Sequence, residues 1–298
     1  MGLQNDEQYI LYNGNVTLDY NDEKHLYTIE GKVVPSTTQI SKAGINKEFL
    51  IRWAASSASK YVAKQWREGV PYVRSDIDGI LKRATYHYKT IQDEATTNGN
   101  YAHKWIEDFV NHVIETGDKQ PDLSNFETPY TIKAMNSVAA FLTWYKDNDV
   151  EFVAAEKKVY SLTHNYSGTF DLLALVNGVL TIVDFKTSKD IYEDYFIQGA
   201  AYTFAYHEEK LYPDGMMNMQ DEVDQFMVLQ VPKNGDNYKT GTLKTRDLDP
   251  YFEVFKACRV VYDWVKKHDD TSWGDGSYTK PTKKKGKGSL GIYFPEYQ

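Results

Sequence analysis

Three residues near the middle of the chain have side chains that could act together. Asp171 closes Gly168-Thr-Phe-Asp171, and Asp184 and Lys186 close Thr181-Ile-Val-Asp-Phe-Lys186. The second stretch reads as a core strand with a charged end, and period-two alternation puts Asp184 and Lys186 on one face. Asn177-Gly178 lies between the two stretches and is a strong two-residue hairpin signal. That turn pairs 176 with 179, and therefore 171 with 184. Carboxylates facing each other across strands repel, and an unpartnered buried carboxylate is costly. A magnesium or manganese ion would relieve both problems, because hard cations take oxygen ligands and organise phosphoryl chemistry. Lys186 could then orient water or offset charge growing on a phosphate. On these three residues alone an ion pair, with Lys186 merely neutralising the acids, is an equally good reading.

The elements around them must hold this arrangement. Residues 151–162, 167–176 and 178–187 read as an antiparallel meander. Helices are expected over about 47–68, 77–91, 131–147, 192–212 and 250–268, with a further helix after Gly99 and a strand over 224–232. Val16–Tyr20 and His25–Ile29 alternate around turn residues and predict a hairpin, and Ser36 after Pro35 is a good helix N-cap. Helix, three strands, helix, strand implies an α/β layered fold.

The 298 residues, 41% apolar and 26% charged, suit one large globular domain. A single cysteine, Cys258, excludes an internal disulfide, a four-thiolate zinc site and an iron-sulfur cluster. It suits a reducing compartment. No basic-then-apolar leader and no apolar run near 20 residues is present, so a cytoplasmic protein without membrane contact is expected. The net charge of −8 argues against a surface coated for nucleic acid, although a basic groove can be local. The 24 tyrosines could stack on unpaired bases, but most aromatics simply pack in cores. The segment after Trp273 is rich in glycine and lysine; Lys283, Lys284, Lys285 and Lys287 could contact phosphates, though a solvated loop is the default.

Asp171 in Gly-Thr-Phe-Asp, followed by Asp184-Phe-Lys186, resembles the PD-(D/E)XK nuclease core, and its details are similar to the RecB-type exonuclease branch. That branch includes phage recombination nucleases, CRISPR-associated single-strand nucleases and the mitochondrial genome maintenance exonuclease. Two outlying marks are also similar: His103 on an upstream helix in Gly99-Asn-Tyr-Ala-His103, with Glu107 on the same face, and Gln198-Gly-Ala-Ala-Tyr202 after the lysine strand. Pro35-Ser-Thr-Thr-Gln-Ile40 resembles a segment near the start of phage and mitochondrial members. The match spans roughly residues 98 to 206. The family's proline is replaced by Thr169-Phe170, and the cysteines that bind a cluster in some relatives are missing.

The resemblance implies a restriction-endonuclease-like core, a central mixed sheet in the order αβββαβ, over 98–270. An N-terminal hairpin and helical region (1–97) would pack on it, and a Lys/Gly-rich segment (271–298) would follow. It implies that His103, Asp171, Asp184 and the Phe185 backbone carbonyl bind Mg2+ or Mn2+, and that Lys186 is the catalytic lysine. Glu156 would be a further acid. Gln198 would support the active strand and Tyr202 would line the DNA path, with Thr187 and Lys189 close by. The implied activity is metal-dependent DNA exonuclease, with DNA as partner, a recombination or replication protein as a second partner, and a phage as the source. The alternatives are a non-catalytic nucleic-acid-binding protein on this scaffold and an endonuclease of the same fold.

Overall fold

The computed structural model describes residues 6–268 except 46 and 130. The lysines at 283–285 and 287, and the segment from 271, lie outside the described residues. The chain is mixed α/β, with two sheets and six α-helices among the described residues.

β1 (Asp6–Leu11), β2 (Val16–Asn21), β3 (Leu26–Ile29) and β4 (Lys32–Val34) form an antiparallel sheet in chain order. The expected hairpin is its middle pair; β1 and β4 are short edge strands without a strong pattern of their own. α1 (Thr37–Gly44) follows, opened by a capping box in which the Ser36 hydroxyl accepts from Gln39 N–H and the Gln39 side chain accepts from Ser36 N–H. Next come α2 (Glu48–Gln65) and α3 (Arg74–Thr116).

α3 corrects the expectation of two helices: it runs unbroken for 43 residues through Asn98-Gly99. Glycine weakens a helix interior, but here its missing side chain serves packing, because a Cβ at Gly99 would lie 3.2 Å from Thr187 Oγ1. Residue 98 is thus mid-helix, and the N-terminal region and the core share α3.

α4 (Ile132–Asp147) is capped by Thr131, whose hydroxyl accepts from Ala134 N–H. The second sheet then begins with β5 (Val150–Ser161), β6 (Tyr166–Val176) and β7 (Val179–Lys186) as an antiparallel meander. Asn177 (φ 52°) and Gly178 (φ 81°) make the tight turn, and the register runs from Val176↔Val179 to Leu172↔Val183, as the turn predicts. α5 (Asp194–Lys210) crosses over to β8 (Gln225–Gln230), which pairs parallel to β7. β9 (Lys239–Lys244), a half-exposed edge strand, was not expected, and α6 (Asp249–His268) ends the described chain.

One face of this sheet packs on α3 and α4 through Phe109, Phe141, Trp144, Leu172, Val183 and Phe185. The other packs on α1, α5 and α6 through Ile40, Phe170, Ile182, Ala201, Phe226 and Phe255. The small residues of Gln198-Gly-Ala-Ala-Tyr202 explain how α5 lies so close: a Cβ at Gly199 would meet the Phe226 ring at 2.3 Å.

The first sheet docks on the second. Tyr12 donates its hydroxyl hydrogen to the Tyr160 carbonyl at 2.7 Å, Tyr27 Oη and Thr169 Oγ1 are 2.7 Å apart, and Ser167 N–H donates to the Pro35 carbonyl.

Candidate metal and nucleic-acid site

His103, Glu156 and Asp171 come from α3, β5 and β6, and their ligating atoms lie within 4.8 Å of one another. Each arrives for a different local reason. His103 sits one turn after Gly99, whose missing side chain lets α3 lie against Thr187 just past β7. Asp171 follows Phe170, which is buried between β6 and α5. Glu156 has a left-handed backbone, φ 47°, a conformation that costs a side-chain-bearing residue of order 1 kcal/mol or more. It breaks the strand's alternation: Ala155 packs toward α3 and α4, yet the next residue, Glu156, also reaches His103 on α3.

Asp171 has two partners. Its Oδ1 is 3.4 Å from His103 Nδ1, and its Oδ2 accepts from the Phe185 backbone N–H. Burial favours its neutral form, but His103, Lys186 and the Phe185 N–H together hold its carboxyl below the usual range. The His103 ring rests edge-on against the Phe185 ring, centroids 5.9 Å apart. Burial works against charge on His103, and the Asp171 carboxylate outweighs it, leaving the imidazole pKa raised.

Asp184, expected beside Asp171 at the metal, lies just outside this tight cluster. It is buried, at 3% exposure, and is ion-paired with Lys186 on its own strand. Its Oδ2 has the ammonium beside it without a well-aligned hydrogen bond. Burial raises its carboxyl to about 6, with Asp171's charge adding to the rise and Lys186 opposing it. Lys186 loses by burial but gains more from Asp184 and Asp171, so its ammonium is held charged; it also stands 5.2 Å over the Tyr195 ring. Burial, then Asp171, pushes Glu156 up to about 7. The three acids therefore cannot all ionise cheaply with only the chain's own cations beside them, as expected of carboxylates crowded for a metal.

The cluster opens into a cleft of about 690 Å³. Tyr20 and Tyr27 of the first sheet, Thr37 and Gln39 of α1, Lys104 and Glu107 of α3, and Tyr202 of α5 line it. Asp184 and Lys186 are not in this lining; they adjoin it through Asp171. Tyr202 is at its floor, buried against Gly168, where a Cβ would meet its ring at 2.6 Å, and burial holds its phenol far above the usual range.

Some expectations fall elsewhere. Gln198 is half-buried on α5 and makes no hydrogen bond to the active strand among the described residues. Thr187 packs against Gly99, and Lys189 is exposed. Lys158, two residues past Glu156, is buried at 7% exposure and lines the cleft, a place not assigned to it from the sequence. The sequence signal for it was weak: one lysine in a strand that alternates imperfectly. Tyr20 and Tyr27 were also missed as cleft residues, because their place depends on the docking of two sheets far apart in the chain.

No family model matches the chain, and no curated protein matches it. Among the described residues no helix is long and apolar enough to cross a membrane.

Proposed function

We propose that the protein is a Mg2+- or Mn2+-dependent deoxyribonuclease that hydrolyses phosphodiester bonds from DNA ends, built on a restriction-endonuclease-like core of the PD-(D/E)XK type. The observation that carries this reading is the convergence of His103, Glu156 and Asp171 beside an Asp184–Lys186 pair one strand away. The order α3, β5, β6, β7, α5, β8, with β8 parallel to β7, supports the same reading.

The donor set fits a hard divalent cation: one imidazole and two carboxylates whose ligating atoms lie within 4.8 Å of one another. His103, Asp171 and Glu156 would hold the ion, with Asp184 adjoining. Such an ion polarises a phosphate and lowers the pKa of water.

The chain's own residues supply the rest. Asp171 keeps His103 oriented and, through the Phe185 N–H, ties β6 to the end of β7. With only the chain's own charges beside it, Glu156 is raised by burial and by Asp171, so a cation held there would relieve the cost of its charge. Lys186, kept positive by Asp184 and Asp171, offsets negative charge growing on the phosphate oxygens. The P–O3′ bond breaks, leaving a 5′-phosphate and a 3′-hydroxyl.

Digestion of end-labelled DNA with Mg2+ or Mn2+ tests the reading. Wild type should release short products, and Lys186→Ala, folded by circular dichroism, should lose activity by about 100-fold or more. Absence of metal-dependent degradation by wild type would overturn it in favour of a binding scaffold. Discrete cleavage of closed circular DNA would point to an endonuclease instead.

A further inference from the structure

The cleft contains a cation that the hydrolytic chemistry above does not use. Lys158 is two residues past Glu156 on β5, and its side chain is only 8% exposed. Its Nζ donates to the Glu156 backbone carbonyl at 3.2 Å and lies 3.8 Å from Glu156 Oε2. It also stands 4.9 Å over the Tyr20 ring and 5.5 Å over the Tyr9 ring. An ammonium has three N–H donors, and among the described residues one hydrogen bond uses one of them. Ring faces attract the charge but take no conventional hydrogen bond. Burying an ammonium costs several kcal/mol unless its charge and donors are met. Lys158 pays that cost at the wall of an open cleft, beside the metal-ligating cluster, so its remaining donors face a space where an anion can sit.

The shape of the cleft limits which anion. The first sheet lies across one side, fixed by Tyr27 against Thr169 and by Tyr12 against the Tyr160 carbonyl. Tyr20 and Tyr27 are closely packed, 4.7 Å between centroids, and form a firm wall. A volume of about 690 Å³ is in the range of roughly 300–1,000 Å³ that holds one small ligand. That is room for a nucleotide unit or two within the cleft.

We propose that Lys158 is a phosphate-binding residue for a single nucleic-acid strand lying along the wall that the first sheet builds over the cleft. This rests on the phosphodiester reading and deepens it: the phosphate Lys158 holds adjoins the scissile one. Its ammonium donates to a non-bridging oxygen while the Glu156 carbonyl keeps it aimed.

The test measures binding and digestion separately. Binding is followed by fluorescence anisotropy in EDTA, using a labelled oligothymidylate of about 12 nucleotides and a blunt duplex of equal length, over a range of salt. Lys158→Met keeps the apolar stem and removes the charge; Lys158→Arg keeps the charge. Lys158→Met should weaken single-strand binding about tenfold or more and reduce the salt slope by about 0.7. Lys158→Arg should keep the slope, and the duplex should bind more weakly than the single strand. If Lys158 only props up the Glu156 backbone, Lys158→Met changes thermal stability and leaves the slope unchanged, and the proposal fails. It also fails if wild type does not bind the single strand, or if the duplex binds as tightly. Digestion by wild type in Mg2+ reports on the nuclease reading alone. DNA degraded with an unchanged slope in Lys158→Met overturns only the role of Lys158.

Discussion

Glu156→Gln keeps the size of the side chain and removes its charge, so it isolates the cost of ionising that carboxyl in the crowded site. Burial and Asp171 raise Glu156 from 4.5 to about 7. At 1.36 kcal/mol per pH unit, that gap of about 2.5 pH units corresponds to at most roughly 3–4 kcal/mol; the side chain is 30% exposed, and solvent screening lowers it to about 1–3 kcal/mol. The sign follows from linkage. The folded protein keeps the Glu156 proton to a higher pH than the unfolded chain, so this stability is fully present below about pH 4.5 and is lost as pH rises through 7. Asp184, raised to about 6 by burial, acts in the same direction in both proteins and cancels in the difference. Urea denaturation in EDTA at pH 4.5, 6, 7 and 8 should show a difference near zero at the lowest pH. It should grow to about 1–3 kcal/mol in favour of Glu156→Gln at pH 8. Parallel stability curves for the two proteins would refute the crowded-carboxylate account of the site.

Lys186→Met should destabilise by about 3–5 kcal/mol by leaving Asp184 buried without its ion pair, and Asp184→Asn in the same chain should restore most of that; equal urea midpoints for wild type and Lys186→Met would contradict it. Gly199→Ala should cost about 1–3 kcal/mol by overpacking α5 against Phe226, read by thermal denaturation, and an unchanged midpoint would show that the helix can shift freely. Mn2+ at about 100 times its dissociation constant should add about 2.7 kcal/mol of stability; His103→Ala should abolish most of that gain, and a wild-type melting temperature indifferent to Mn2+ would exclude a metal at the cluster.

The part of the site that depends on local chemistry could be read from the sequence. Asn177-Gly178 imposed the register, which the pairing follows as far as Leu172↔Val183, next to Asp171 and Asp184, and the Ser36 cap and the α5 crossover also follow from short-range signals. What lay beyond reach depends on departures from periodicity and on distant contacts. The left-handed residue Glu156 breaks the alternation that pattern reading assumes, and Lys158 beyond it is buried in the cleft wall. Spacing also did not show that the chain supplies each carboxylate with its own partner, Lys186 for Asp184 and His103 for Asp171. Gly99, which looked like a helix boundary, is instead a packing contact with Thr187.

The docking of the first sheet also has a kinetic side. Tyr12 and Tyr160 are 148 residues apart, and Tyr27 and Thr169 are 142 apart. Closing loops of that length is slow compared with forming hairpins or helix turns. During synthesis the first sheet must wait, with Leu11, Tyr12 and Leu18 less covered, until Tyr160 of β5 has emerged to join their cluster. Substitutions that hasten or delay the β5–β6 hairpin should therefore change the yield of folded protein more than its final stability.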